Sequence, residues 1–242
     1  MDLATAFCYA APGQTFIMEG GTYTFKEGLT VLRGVNGTEE APVSLQPAEG
    51  ETVILDFAKE GSGLQIWGDY WHIKNIQVCN ASDGNCGIRL SGHHNILEGI
   101  QTYNNGNTGL QISGTSEETI DLWPSDNLVL NCTSYNNCDE AMEDADGFAA
   151  KLTCGEGNVF RGCIAAYNAD DGWDLFAKIA TGKIGAVTIE DCVAFKNGYV
   201  YDASGNVVNA GNGNGFKMGG SGISGRHVLK NSISYENKAK GI

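Results

Sequence analysis

Five side chains far apart in the chain have types that could do chemistry together: the carboxylates of Asp146, Asp170, Asp171 and Asp174, and the amine of Lys217. Carboxylates without thiolate or imidazole company are hard oxygen donors, the set that Ca²⁺ takes with six to eight oxygens at ~2.4 Å. Four anions gathered in one patch repel one another, and a bound calcium ion resolves that repulsion. A lysine beside such a patch is either an ion-pair partner, worth ~0–1 kcal/mol if exposed, or a base facing open space. Its setting, Asn212-Gly-Asn-Gly-Phe-Lys-Met-Gly-Gly220, is glycine-rich and leaves room around the amine, as a polymer-binding groove requires. The chemistry exists only if the fold brings these five residues together.

The sequence carries a device that would do so. Six segments starting at Asn75, Gly99, Asn131, Gly162, Asp191 and Asn231 align without gaps, at spacings of 24, 32, 31, 29 and 40 residues. All but the first end in asparagine, giving the column Asn105, Asn137, Asn168, Asn197 and Asn237. Asn tolerates left-handed turn geometry, and its amide can bond to copies above and below. A glycine then opens a second short stretch in each unit, followed by Ile88, Leu110, Phe148, Trp173 or Phe216. By the two-residue strand period these face one side together with Leu90, Ile112, Ala150, Leu175 and Met218, so both columns are predicted core. Between them Arg89, Gln111, Ala149, Asp174 and Lys217 form an outward column. A third stretch opens the next coil at Asn95, Asn127, Asn158, Ala186 and His227.

Short strands, no helical periodicity and coils of roughly 22–40 residues predict an all-β chain. The expected form is a parallel β-solenoid, a single domain over residues 1–242, in which each coil buries its face by stacking on its neighbours. Residues 28–33, 52–57 and 63–67 read as less regular earlier coils, and residues 3–10 as a short amphipathic helical cap over the first open edge. Lys240-Gly241-Ile242 begins another second strand and stops, which is read as a chain truncated there or covered by another molecule. Stacked strands lie ~4.8 Å apart. Asp146 and Asp171, each just before a second-strand glycine, are therefore expected one above the other. Asp170 and Asp174 join them, and Lys217 lies one coil beyond Asp174 in the outward column.

The remaining features narrow the classes. Thirty-four glycines without a Gly-X-Y repeat exclude collagen, and only 4 prolines argue against low-complexity disorder. A net charge of −14 repels nucleic acid and anionic membranes, and no window approaches the ~18 apolar residues of a membrane span, so a soluble monomer is expected. Met1-Asp2-Leu3 lacks the basic and apolar regions of a signal peptide, which leaves the compartment open. Eight cysteines without a C-x-x-C pair exclude a zinc or dithiol centre. Cys132, Cys163 and Cys192 share one repeat position and read as buried fillers; Cys79 with Cys86, or Cys138 with Cys154, could form disulfides in an exported protein. His93, His94 and His227 read as turn or surface residues, and Trp173 and Phe216 as core rather than sugar platforms. Asp139, Glu140, Glu143 and Asp144 form an acidic loop, either solvated or a second calcium site.

Spacing alone leaves a calcium that clips coils together and a calcium that serves catalysis as equal readings. The runs Asp146-Gly-Phe-Ala-Ala-Lys151, Gly155-Glu-Gly-Asn-Val-Phe160, Asn168-Ala-Asp-Asp-Gly-Trp-Asp-Leu175 and Asn214-Gly-Phe-Lys-Met-Gly-Gly220 go further. With Asn237-Lys-Ala-Lys-Gly241, they resemble the pectate lyases of polysaccharide lyase family nine over the last two-thirds of the chain. That resemblance implies a right-handed parallel β-helix, Asp146, Asp170, Asp171 and Asp174 as calcium ligands, and Lys217 as the base. It further implies polygalacturonate as substrate, β-elimination as the reaction and a secreted protein. The departure is at the C-terminus, where family members usually continue through further coils. Two rivals stand beside it. A polygalacturonase-like hydrolase would show a histidine and an Arg-x-Lys element near its groove, and neither is present. A calcium-stabilised solenoid for carbohydrate binding or adhesion would use the same carboxylates without a reaction.

Overall fold

Twenty-three strands of two to five residues follow the N-terminal helix in the computed structural model, which describes residues 2–242. They sort into three sheets of eight, eight and seven strands. Within each sheet a strand pairs in parallel with the strands one coil before and one coil after, so the chain climbs as a three-sided parallel β-helix.

The register is the one the repeats predict. In the second sheet Gln77, Gln101, Thr133, Ile164, Val193 and Ile233 lie in one row, which is the gapless alignment of the six segments. In the third sheet Ile88, Leu110, Phe148, Trp173 and Phe216 form another row. The first sheet differs in one detail: Asn158 pairs with Val187, so that strand begins one residue after Ala186. The earlier coils are present at Leu29–Val31, Val53–Asp56 and Leu64–Ile66.

Inside the helix the predicted columns are buried, except at the last coil, where Met218 is half-buried. Trp173 is stacked between Phe148 at 4.8 Å and Phe216 at 4.9 Å, centroid to centroid. Each such aromatic pair adds about 0.5–1.5 kcal/mol beyond the area it buries. Trp173 and Phe216 are therefore core, as expected. The helix Leu3–Tyr9 caps the first coil: the Asp2 carboxylate accepts from the Thr5 N–H at 2.8 Å, and Phe7 is buried edge-on against Trp71 at 5.5 Å. All eight cysteines are free, and Cys132, Cys163 and Cys192 are buried fillers.

The asparagine column forms a continuous ladder. The side-chain N–H groups of Asn105, Asn137, Asn168 and Asn197 each donate to Oδ1 of the next member at 2.9 Å. The left-handed geometry expected of these residues lies one position earlier, at Asn104, Asn136, Tyr167, Lys196 and Glu236, with φ of 51–58°. What the ladder residue supplies is its amide. The ladder also explains the glycine column. A Cβ on Gly109 would stand 2.6 Å from Asn137 Nδ2, and one on Gly147 would stand 2.7 Å from Asn168 Nδ2. A second ladder, Asn95, Asn127 and Asn158, closes the turn before the first sheet.

Candidate active site

The third sheet presents the candidate residues. Asp146 and Asp171 occupy successive coils just before the strands Phe148–Ala150 and Trp173–Asp174, and Asp174 pairs with Lys217 across the ladder to Phe216–Lys217. Carboxylate oxygens of Asp146, Asp171 and Asp174 lie within 4.8 Å of one another, a spacing that suits a metal ion, and all three residues are buried. Asp170 stands outside this triad but lines the same groove, its Oδ1 accepting from the Asn212 N–H.

Hydrogen bonds satisfy only part of the cluster. Asp146 accepts from the Asp171 N–H at 3.2 Å, the Thr108 hydroxyl at 3.1 Å and Lys151 Nζ at 2.7 Å. Asp171 Oδ1 accepts from the backbone and side chain of Asn214 at 2.7 and 2.8 Å. Asp171 Oδ2 and Asp174 Oδ1 are buried without a hydrogen-bond donor. Lys217 Nζ is at ion-pair distance from both, 3.2 and 3.5 Å, and lies over the Phe176 ring at 5.4 Å. Lys151 Nζ reaches Asp174 Oδ2 at 3.3 Å. Four carboxylates against two ammoniums leave two negative charges, the complement of one divalent cation. Orphaned buried oxygens in an all-oxygen donor set fit that ion type.

The protonation tendencies follow. Burial, against the lowering pull of Lys151 and helped by the charges of Asp174, Asp170 and Asp171, raises Asp146 well above the ordinary carboxylate value. Burial and the Asp171 charge push Asp170 up to about 6, and burial also raises Asp171. Burial works to lower Lys217, but Asp174 and Asp171 outweigh it and hold the amine above the usual lysine range. The same contest, with Asp146 first among the acids, raises Lys151.

The profile of the family described as "Pel9A-like, right handed beta helix region" matches residues 1–242. The chain belongs to this family. Among curated relatives, pectate lyase L of Paenibacillus polymyxa is 45% identical over 99% of this chain and 54% of its own length. Pectate lyase L of Thermoclostridium stercorarium is 43% identical over 100% of this chain and 19% of its own. The crystal structure of pectate lyase Pel9A superimposes with a TM-score of 0.85 at 33% identity, covering 100% of this chain and 60% of that one. A rhamnogalacturonan lyase at 24% identity and a TM-score of 0.76 shares the fold. The Pel9A-like chain thus spans about half, or less, of the length of the curated relatives named here.

Three site contributors of this Pel9A-like β-helix escaped the sequence reading. Lys151 was visible only as the end of a motif, yet it shares strand parity with Ala149, whose row partner is Asp174, so the outward face was readable. Asn212 and Asn214 hold Asp170 and Asp171 from the end of the long insertion, residues 199–211. That insertion rests on the acidic loop through the Ala210 and Gly211 N–H groups, which donate to the Met142 carbonyl. The loop itself is closed by Asp139 Oδ1, which accepts from Glu143 and Asp144 N–H at 3.1 Å. The histidines serve turns: His93 bonds Ser125, His94 stacks on Tyr70, and His227 accepts from the Val187 N–H. Among the described residues no helix is long and apolar enough to cross a membrane.

Proposed function

We propose that this chain carries the catalytic centre of a calcium-dependent pectate lyase that cleaves polygalacturonate by β-elimination. The observation that carries the reading is the position of Lys217 Nζ, on a groove of about 580 Å³ and next to two buried carboxylate oxygens that lack hydrogen-bond donors. In a polygalacturonate chain the C5 proton is α to a carboxylate. Lys217 takes that proton, and the C4 glycosidic oxygen departs with the bonding electrons as the C4–C5 double bond forms. Asp146, Asp170, Asp171 and Asp174 are the residues to hold calcium. Bound there, it would supply Lewis acidity to the substrate carboxylate and let an acidic protein bind a polyanion.

Asp174 and Asp171 keep Lys217 charged, and a lysine acts as a base only when neutral, so the rate rises with pH toward an alkaline optimum. The reading carries with it an acidic polysaccharide partner, an extracellular home and a monomeric state. Its test is ultraviolet absorbance of the unsaturated product from polygalacturonate with calcium. Lys217→Ala is expected to lower the rate by about 10²–10⁴-fold with an unchanged circular dichroism spectrum, and chelator to abolish it. No absorbance from the folded wild-type protein, or a rate indifferent to chelator, rejects the lyase reading.

A further inference from the structure

The outward column of the third sheet runs on from the site: Lys217, Asp174, Ala149, Gln111, Arg89 and Gln65 are successive row partners. At ~4.8 Å per strand, Arg89 lies about 19 Å from Lys217 along the groove. Both side chains line the same cavity.

Arg89 is unusual in this acidic chain. It is half-buried, and among the described residues no carboxylate lies within ion-pair distance of it. Glu118, the acid whose charge acts on it, is engaged by Arg33 at 2.8 Å. The guanidinium is held in place by other means. Its Nε donates to the Ser113 carbonyl at 3.4 Å, one Nη donates to the Gly114 carbonyl, and the group lies over the Trp67 ring at 5.2 Å. Arginine has five N–H donors, so three have no protein acceptor. A fixed guanidinium without a carboxylate at ion-pair distance, in a polar groove, matches a carboxylate, which it can take in a two-pronged fork. Gln111 and Gln65 flank it; Gln111 Nε2 donates to Ser113 Oγ and Gln65 Oε1 accepts from Trp67 Nε1, and each amide keeps N–H capacity that suits sugar hydroxyls.

We propose that Arg89 is a specificity-determining subsite that binds the carboxylate of a uronate residue several sugars from the bond being cleaved. This rests on the lyase reading for the substrate class. Arg89 contributes to holding a long polyanion and takes no part in the bond changes at Lys217. A dimer or trimer cleaved at Lys217 is too short to reach it.

The experiment compares wild type, Arg89→Ala, Arg89→Gln and Arg89→Lys on long polygalacturonate and on galacturonate trimer. Arg89→Ala is expected to raise KM for the polymer about tenfold or more with kcat within about twofold, and to leave kcat/KM for the trimer unchanged. Arg89→Lys, which keeps the charge and loses the fork, falls between. Equal losses on both substrates would show that Arg89 only braces residues 113–114 and would overturn the proposal, as would no change on either. Arg89→Gln keeps a donor for those carbonyls and replaces the alanine variant if that fails to fold. If the wild type forms no double bond, the lyase reading fails on its own. Calorimetric binding of the polymer to wild type and to Arg89→Gln then decides the subsite, with equal affinities rejecting it.

Discussion

Two buried polar columns of this β-helix, one of asparagines and one of aspartates, are built by the same stacking and end in opposite conditions. In the asparagine ladder each amide both accepts and donates, so Asn168 takes bonds from Asn137 and passes one to Asn197, and the ends are satisfied by the Ala81 N–H and the Ala194 carbonyl. In the column Thr108, Asp146, Asp171 and Asn214 the ionised carboxylates can only accept. Neutral partners at each end and Lys151 supply donors, and the two oxygens left over, Asp171 Oδ2 and Asp174 Oδ1, have only the Lys217 ammonium at ion-pair distance. A saturated polar column stabilises the fold. An unsaturated one carries buried acceptor oxygens without donors, at a cost in stability.

Three experiments would break or sharpen that contrast. The largest effect is expected from Asp171→Asn. It should lower calcium affinity by at least about 100-fold and remove the rise in melting temperature that calcium is expected to give the wild type. In chelator the variant should be no less stable than wild type, because burial already disfavours the Asp171 charge. Undiminished calcium stabilisation of this variant would mean that the aspartate column is not the metal site. Asn168→Ala should do the reverse. It leaves the backbone and side-chain N–H of Asn137 without an acceptor and takes a donor from Asn197 Oδ1 and from the Ser134 carbonyl, costing about 3 kcal/mol in denaturant unfolding. That loss should be the same with calcium and with chelator.

The smallest effect is a pH trend. Asp170 has a folded value of about 6 against 3.8 for the free side chain, so the folded state binds the proton more tightly. The associated stability is present below pH ~4 and is lost as pH rises through about 6, opposite to the usual carboxylate. Chelated protein should therefore lose melting temperature across that window, and calcium should offset the loss. A melting temperature that rises from pH 4 to 6 in chelator would contradict the buried-acid description.

The rows of the second and third sheets were readable because a coil has one repeat position for asparagine, one for glycine and one for a buried apolar group. A one-residue slip from the gapless register would turn Trp173 or Phe216 toward water. Asp146, Asp171, Asp174 and Lys217 inherited their proximity from those rows. Other features were not readable from spacing. Asp170 is drawn aside by the Asn212 N–H, a partner delivered by an insertion that has no counterpart in the repeat. Lys151 shares the outward parity of Ala149, but spacing does not show that its amine reaches two carboxylates. The left-handed residue falls before the ladder asparagine, where side chains as unlike as Tyr167 and Lys196 adopt it under the constraint of the turn.

By itself the sequence determined the stacking: periodic apolar, asparagine and glycine positions admit one way of burying a core, and that places the third-sheet acids and Lys217 on one face. Only the tertiary structure decided which acceptor oxygens remain unfilled and which cations stand beside them. Those outcomes depend on where the irregular segment before the last third-sheet strand delivers the Asn212 and Asn214 N–H groups, and on which carboxylate oxygens the Lys151 and Lys217 amines reach, and local chain chemistry carries no record of either.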